Sequence, residues 1–253
     1  MSVSKHTMHF REKRASELET TARLLDKVFQ GTINSYPIYK AATQLRNQNF
    51  IPSLKDGSTN PECWGYEIED FIIPVETVKH IRPSGIKNVE LILNLRLVAN
   101  YKEWETMTDP LCDLNFNVVI RGVGEQTYYS GFHIDRHFDN SHSDEPHPLY
   151  HLQYSTNPTD DPDFNWGATL YLDTPRIMHY PMDFILGIGF LTSSYSPRKY
   201  EGLISDGTFA NLYKKYQERI WKPFTHSLAD HWTPFNSGEI VWKPTSIHCP
   251  YLI

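Results

Sequence analysis

Val89-Glu90-Leu91-Ile92-Leu93-Asn94-Leu95-Arg96-Leu97-Val98-Ala99-Asn100-Tyr101 alternates apolar and polar side chains along most of its length. Leu91, Leu93, Leu95, Leu97 and Ala99 fall at every second position, with Glu90, Asn94, Arg96 and Asn100 between them. Successive side chains of a strand point to opposite faces, so this stretch predicts a β-strand with one apolar face. The same period returns downstream, where Leu114, Phe116, Val118 and Ile120 alternate with Asn115, Asn117 and Arg121 before a turn at Gly122 and Gly124. Thr127–Phe138, Pro148–Ser155 and Ala168–Leu172 read as further strands, and Trp64–Ile73 as a short one upstream. Five strands in succession with short links predict an antiparallel meander, one face covered and one open.

Elsewhere the period is helical. Ser16-Glu17-Leu18-Glu19 fits a capping box, and Leu18, Ala22, Leu25 and Phe29 follow at helical spacing up to Gly31, which predicts a helix over residues 16–30. Pro181 suits a first helical position and Asp183 a first turn, while Phe184–Leu191 is apolar nearly all round, as a buried helix is. Gly187 and Gly189 inside that run point to close backbone packing. Phe209, Leu212, Tyr216 and Ile220 line one face of a helix ending at Pro223, Leu228–Trp232 adds a turn, and Gly238–Pro244 reads as a last strand. Residues 32–65 carry few periodic signals, and Asp56-Gly57-Ser58-Thr59-Asn60-Pro61 is a loop by composition. The expected fold is α+β, a single domain over residues 1–253. It has a flexible N-terminus over 1–15, a core sheet over 89–173 and a helical segment over 181–232 packed, with the N-terminal helix, on one sheet face.

Composition narrows the functional classes. At 253 residues and 40% hydrophobic, the chain can bury a core without staples. The net charge is −6 and no block of Lys or Arg stands out, which argues against duplex DNA as a partner and leaves room for a small groove for a single strand. Cys63, Cys112 and Cys249 are widely spaced and lack any C-x-x-C, against a disulfide framework or a Cys-rich zinc site. Such usage suits a reducing compartment. Met1–Arg14 has no apolar signal core, and the longest apolar run, Phe184–Leu191, is far short of a membrane span. A cytoplasmic protein with no membrane partner is the expectation.

Chemistry concentrates in Gly131-Phe132-His133-Ile134-Asp135-Arg136-His137 and in His147-Pro148-Leu149-Tyr150-His151-Leu152-Gln153. On a strand, His133, Asp135 and His137 share one face while Phe132, Ile134 and Phe138 share the other. His151, Gln153 and Ser155 share a face of the next strand. If the two strands pair, opposed side chains lie about 4.5–5.5 Å apart at Cβ, close enough for hydrogen bonds or a shared ion. Arg176 and His179, just beyond the next strand with Asp173, are expected to close one end of the same surface. His142 and His147 read as solvated loop residues, His6 and His9 as parts of the flexible terminus, and His226 and His231 as caps or core edges.

Three readings follow. In the first, the chain is a hydrolase, a phosphodiesterase or nuclease acting on nucleic acid with RNA favoured. Two of the histidines serve as general base and acid, Asp135 orients an imidazole, and Arg176 stabilises phosphoryl charge. A metal-assisted version has His133, Asp135 and His151 holding a divalent ion. In the second, His133-x-Asp135, together with His248 at the end of the segment starting at Gly238, resembles in outline the iron/2-oxoglutarate oxygenases. The resemblance covers two short motifs, and it implies iron held by His133, Asp135 and His248 with positions open for oxygen and a co-substrate. In the third, the histidines are structural and the chain is a non-catalytic interaction subunit of a complex. The expected partners are accordingly single-stranded nucleic acid or another protein.

Overall fold

A six-stranded antiparallel sheet, in the order of the chain, forms the frame: β1 (Cys63–Pro74), β2 (Asn88–Asn100), β3 (Leu111–Val123), β4 (Thr127–Arg136), β5 (Tyr150–Tyr154) and β6 (Ile177–Met178). The computed structural model describes residues 3–76, 85–106, 109–137, 147–154 and 176–229. The expected meander is present, with β1 and the two-residue β6 at its edges. Ala168–Leu172, Gly238–Pro244 and the end of the turn placed at Leu228–Trp232 lie outside the described residues.

Alternation sets the two faces. Leu93, Leu95 and Leu97 of β2, Phe116 and Val118 of β3, and Phe132 and Ile134 of β4 are all buried in one core. Strand β1 joins this face through Trp64, Tyr66 and Ile68 and then, after a bulge, Phe71 and Ile73. Strand β1 covers the expected Trp64–Ile73 with one residue more at each end; at its bulge one extra residue shifts the phase, and Asp70 takes a left-handed φ of 51°. The Asp70 N–H donates to Asn94 Oδ1 at 2.9 Å.

Helices cover the apolar face. Helix α1 spans Lys5–Phe29 and α2 spans Tyr36–Arg46. The N-terminus expected to be flexible is thus the first half of α1. Ser4 accepts from the Thr7 N–H as its cap, and Phe10, Arg11, Arg14 and Ala15 are buried. Ser16 and Glu19 therefore sit in mid-helix and form no capping box. Helix α2 replaces the aperiodic segment expected there: Pro37 occupies its first turn, and Ile38, Ala41, Ala42 and Leu45 form its buried stripe. Arg11 crosses to the end of α2, donating to the carbonyls of Phe50, Gln44 and Asn47 at 2.9–3.0 Å. It so satisfies carbonyls that a helix end leaves unpaired.

The short helix α3 (Tyr101–Thr106) follows β2. Then come α4 (Phe184–Tyr195), α5 (Pro197–Ser205), α6 (Gly207–Tyr216), a π-helical turn at Gln217–Trp221 and α7 (Lys222–Ala229). Asp183 is the N-cap of α4 rather than a residue of its first turn, so Pro181 lies outside the helix. The helical path continues past Pro223, the second residue of α7, which follows the π-helical turn without a break. The expected close packing of α4 is present. A Cβ at Gly187 would stand 2.2 Å from Phe116 Cε2, and one at Gly189 would stand 2.3 Å from Tyr213 Cε2. Among the described residues no helix is long and apolar enough to cross a membrane. The thiols of Cys63 and Cys112 are free, with their sulfurs 3.9 Å apart.

Candidate metal centre

Because Phe132 and Ile134 enter the core, β4 presents His133 and Asp135 to the opposite, open face. The register then sets Asp135 opposite His151 and His133 opposite Gln153 on β5. On the other flank, β3 sets Asn115 opposite Asp135 and Asn117 opposite His133. One ligand-type atom from each of His133, Asp135 and His151 lies within 4.8 Å of the other two. The two imidazole rings are 6.2 Å apart and nearly perpendicular at 82°. His133 Nε2 is 3.7 Å from Asp135 Oδ2. These three residues could hold a metal ion.

Burial shapes the electrostatics. His151 is 3% exposed, and loss of hydration lowers its pKa to about 3. The neighbouring His147, His133 and Arg176 act in the same direction, and the Pro148 backbone opposes them. Its imidazole is therefore neutral near physiological pH, the form that ligates metals. Burial also raises the Asp135 carboxyl, with Asp113 adding to the shift and His133 and Lys55 countering it. Among the described residues, Asp135 Oδ1 and His151 Nδ1 are buried without a hydrogen-bond partner. Such an atom costs on the order of 1–3 kcal/mol, a cost that coordination would remove. A bound cation would also favour the ionised carboxylate.

The remaining expected residues distribute around this triangle. His147 is not a solvated loop residue. The His137 N–H donates to the Leu149 carbonyl at 2.7 Å, which draws the two ends of the intervening segment together. His147 consequently stacks on His137 at 3.8 Å and meets the His151 ring at 4.6 Å. Four imidazoles thus run in a row from His137 to His133. Gln153 is buried beside them, and Arg176 is near enough to His151 to act on its protonation. His179 does not join this row: its ring lies 5.4 Å from that of Phe190, which in turn meets Phe132 of the core. His142, Asp173, His231 and His248 lie outside the described residues.

Residues not foreseen complete the surroundings. Asp113 is buried on the open face, where Arg96 pairs with it and Lys55 Nζ lies 3.8 Å away. Arg96 also pairs with Glu67 at 3.3 Å. Asn115, Asn117 and Arg96 belong to the polar half of the alternation that marks β2 and β3, so that signal was present. Lys55 arrives from a distant loop and left none. No family model, curated protein or solved structure matches the chain.

Proposed function

We propose that His133, Asp135 and His151 bind a divalent metal ion and that the chain is a metal-dependent phosphodiesterase, with single-stranded RNA as its expected substrate. The observation that carries this reading is the triangle of ligand-type atoms within 4.8 Å, two imidazoles and a carboxylate, on an open sheet face. An ion with three protein ligands keeps positions for water and substrate, and supplies a water acidified toward neutrality. The side chains of His133 and Asp135 are 25% and 22% exposed, so the triangle is reachable from solvent. Asn115 and Asn117 offer amides for sugar or phosphate oxygens, and Arg176 adds positive charge beside His151. A neutral His151 favours ligation over a pair of histidines exchanging protons.

Metal content and RNA cleavage test the reading together. Wild-type protein equilibrated with zinc, manganese or iron and then dialysed should retain one equivalent of ion and cleave a single-stranded RNA. His133→Ala, Asp135→Asn and His151→Ala should lose both properties while keeping wild-type circular dichroism. Unchanged metal content in His151→Ala would sink the assignment. A second reading has the same support in the ligand set, because two histidines and a carboxylate also suit a non-haem iron oxygenase, with His151 in the place foreseen for His248. Retained iron with intact RNA favours that alternative.

A further inference from the structure

Cys63 and Cys112 lie 49 positions apart in the chain, yet their sulfurs stand 3.9 Å from one another. Both are free thiols. Register accounts for the meeting. Cys63 opens β1 opposite Asn100 of β2. On the other side of β2, Val98 stands opposite Asp113 and Ala99 opposite Leu111, so Cys112 is the residue in excess at a break of register. A bulge bends its strand and re-aims a side chain, and here it turns Cys112 toward Cys63 around the end of β2. Cys63 is 1% exposed and Cys112 is half-buried, so one sulfur lies inside the fold and the other is reachable from solvent.

The two thiols are unequal. The hydrogen bond with Cys112 pulls the Cys63 thiol below its ordinary value, against burial and the charges of Glu103 and Glu62. The same bond drives the Cys112 thiol up, with burial adding to the shift and Arg136 countering it. One sulfur is thus readied as a thiolate while the other holds the proton between them. A thiolate is the form that ligates metals. The carboxylates that act on Cys63 also favour a positive charge beside it.

We propose that Cys63 and Cys112 together bind one monovalent copper ion, Cu(I). Spacing separates this site from a disulfide. With metal–sulfur bonds of about 2.3 Å, two thiolates on one ion stand about 3.8 Å apart in a tetrahedral arrangement and about 4.6 Å apart in a linear one. The 3.9 Å between these sulfurs falls within that range. A disulfide holds its sulfurs about 2.05 Å apart, so this pair would have to close on itself across the end of β2. Thiolates are soft donors that select Cu(I), an ion that two of them satisfy. Binding releases both thiol protons, transfers no electron and sets one positive charge between two negative sulfurs. The pair shares no residue with the triangle of His133, Asp135 and His151.

Anaerobic titration of the full, reduced chain with Cu(I) held by the chromophoric chelator bicinchoninate tests the site. Wild type should withdraw one equivalent from the chelator, and X-ray absorption of the loaded protein should show two sulfur neighbours at about 2.3 Å. Cys63→Ser and Cys112→Ser should each weaken retention by about tenfold or more, with circular dichroism unchanged. Cys112 is half-buried, so its variant serves even where a hydroxyl at the buried position 63 disturbs the fold. Cys249→Ser and His133→Ala should bind as wild type does, which assigns the ion to this pair and not to the third thiol or the imidazoles. The proposal is overturned by failure of the wild type to withdraw copper, by wild-type retention in Cys63→Ser or Cys112→Ser, or by loss of binding in Cys249→Ser or His133→Ala.

Discussion

Asp183 carries two demands that conflict. As the N-cap of α4 it accepts from the Leu186 N–H at 2.8 Å, a role that favours an ionised carboxylate. It is also 1% exposed, and burial pushes its pKa from 3.8 up to about 7 despite the backbone N–H groups of Leu186 and Ile185. Between those two values the folded chain keeps a proton that the unfolded chain has released. The contribution to stability is complete below about 3.8 and is lost as pH rises through about 7. Asp183→Asn keeps the cap acceptor and removes the titration. Urea unfolding across this range should therefore show the variant gaining on the wild type as pH rises. The difference between the two proteins isolates Asp183, because His151, with its pKa lowered to about 3, tilts both curves the other way. A constant difference at all pH values would contradict the assignment.

Among the elements, α4 shows most directly how one missing side chain sets an interface. Alanine favours a helix over glycine by about 1 kcal/mol, so Gly187→Ala would stabilise an isolated α4. In the folded chain the added methyl would meet the ring of Phe116, a residue 0% exposed with no room to turn. The expected net effect is a loss of about 1–3 kcal/mol in denaturant unfolding, with the helix forced away from β3. Stabilisation would show that the ring can give way. The glycines of α4 were readable as packing contacts because the helix is apolar all round. The buried stripe of α2 was present in Ile38, Ala41, Ala42 and Leu45 but is only four residues long, bracketed by polar chain. The bulge in β1 shifts the phase between Ile68 and Phe71, so the strand was visible over Trp64–Ile73 but its change of face was not. In each case the local pattern existed, and what interrupted it was a device serving contacts with another element.

At the scale of the molecule, one continuous core runs from α1 through the sheet to α7. Residues 5–15 are part of it: Phe10 and Ala15 are buried, and Arg11 closes the end of α2. A chain beginning at Ser16 should lose its cooperative thermal transition and much of its helical ellipticity. A loose arm could be removed with no change in either, so an unaltered melt would disprove this account. The candidate metal centre was readable in part. His133, Asp135 and His151 followed from strand phase, since alternation in neighbouring strands specifies which side chains share a face. Lys55 did not, because it reaches Asp113 only through the packing of segments far apart in the chain. Long-range meetings of that kind leave no period to read.

The bulge at Asp70 has a consequence for how the sheet finds its alignment. In β2 the leucines at 91, 93, 95 and 97 repeat every second residue, so a neighbour displaced by two positions would meet an almost identical surface. A ladder of like rungs has no address. Asn94, accepting the Asp70 N–H at the point where β1 gains its extra residue, is a rung unlike those beside it, with Ile92 and Arg96 at the equivalent positions. The bulge therefore works as a key cut for one notch, making one alignment of β1 different in kind from its near-copies.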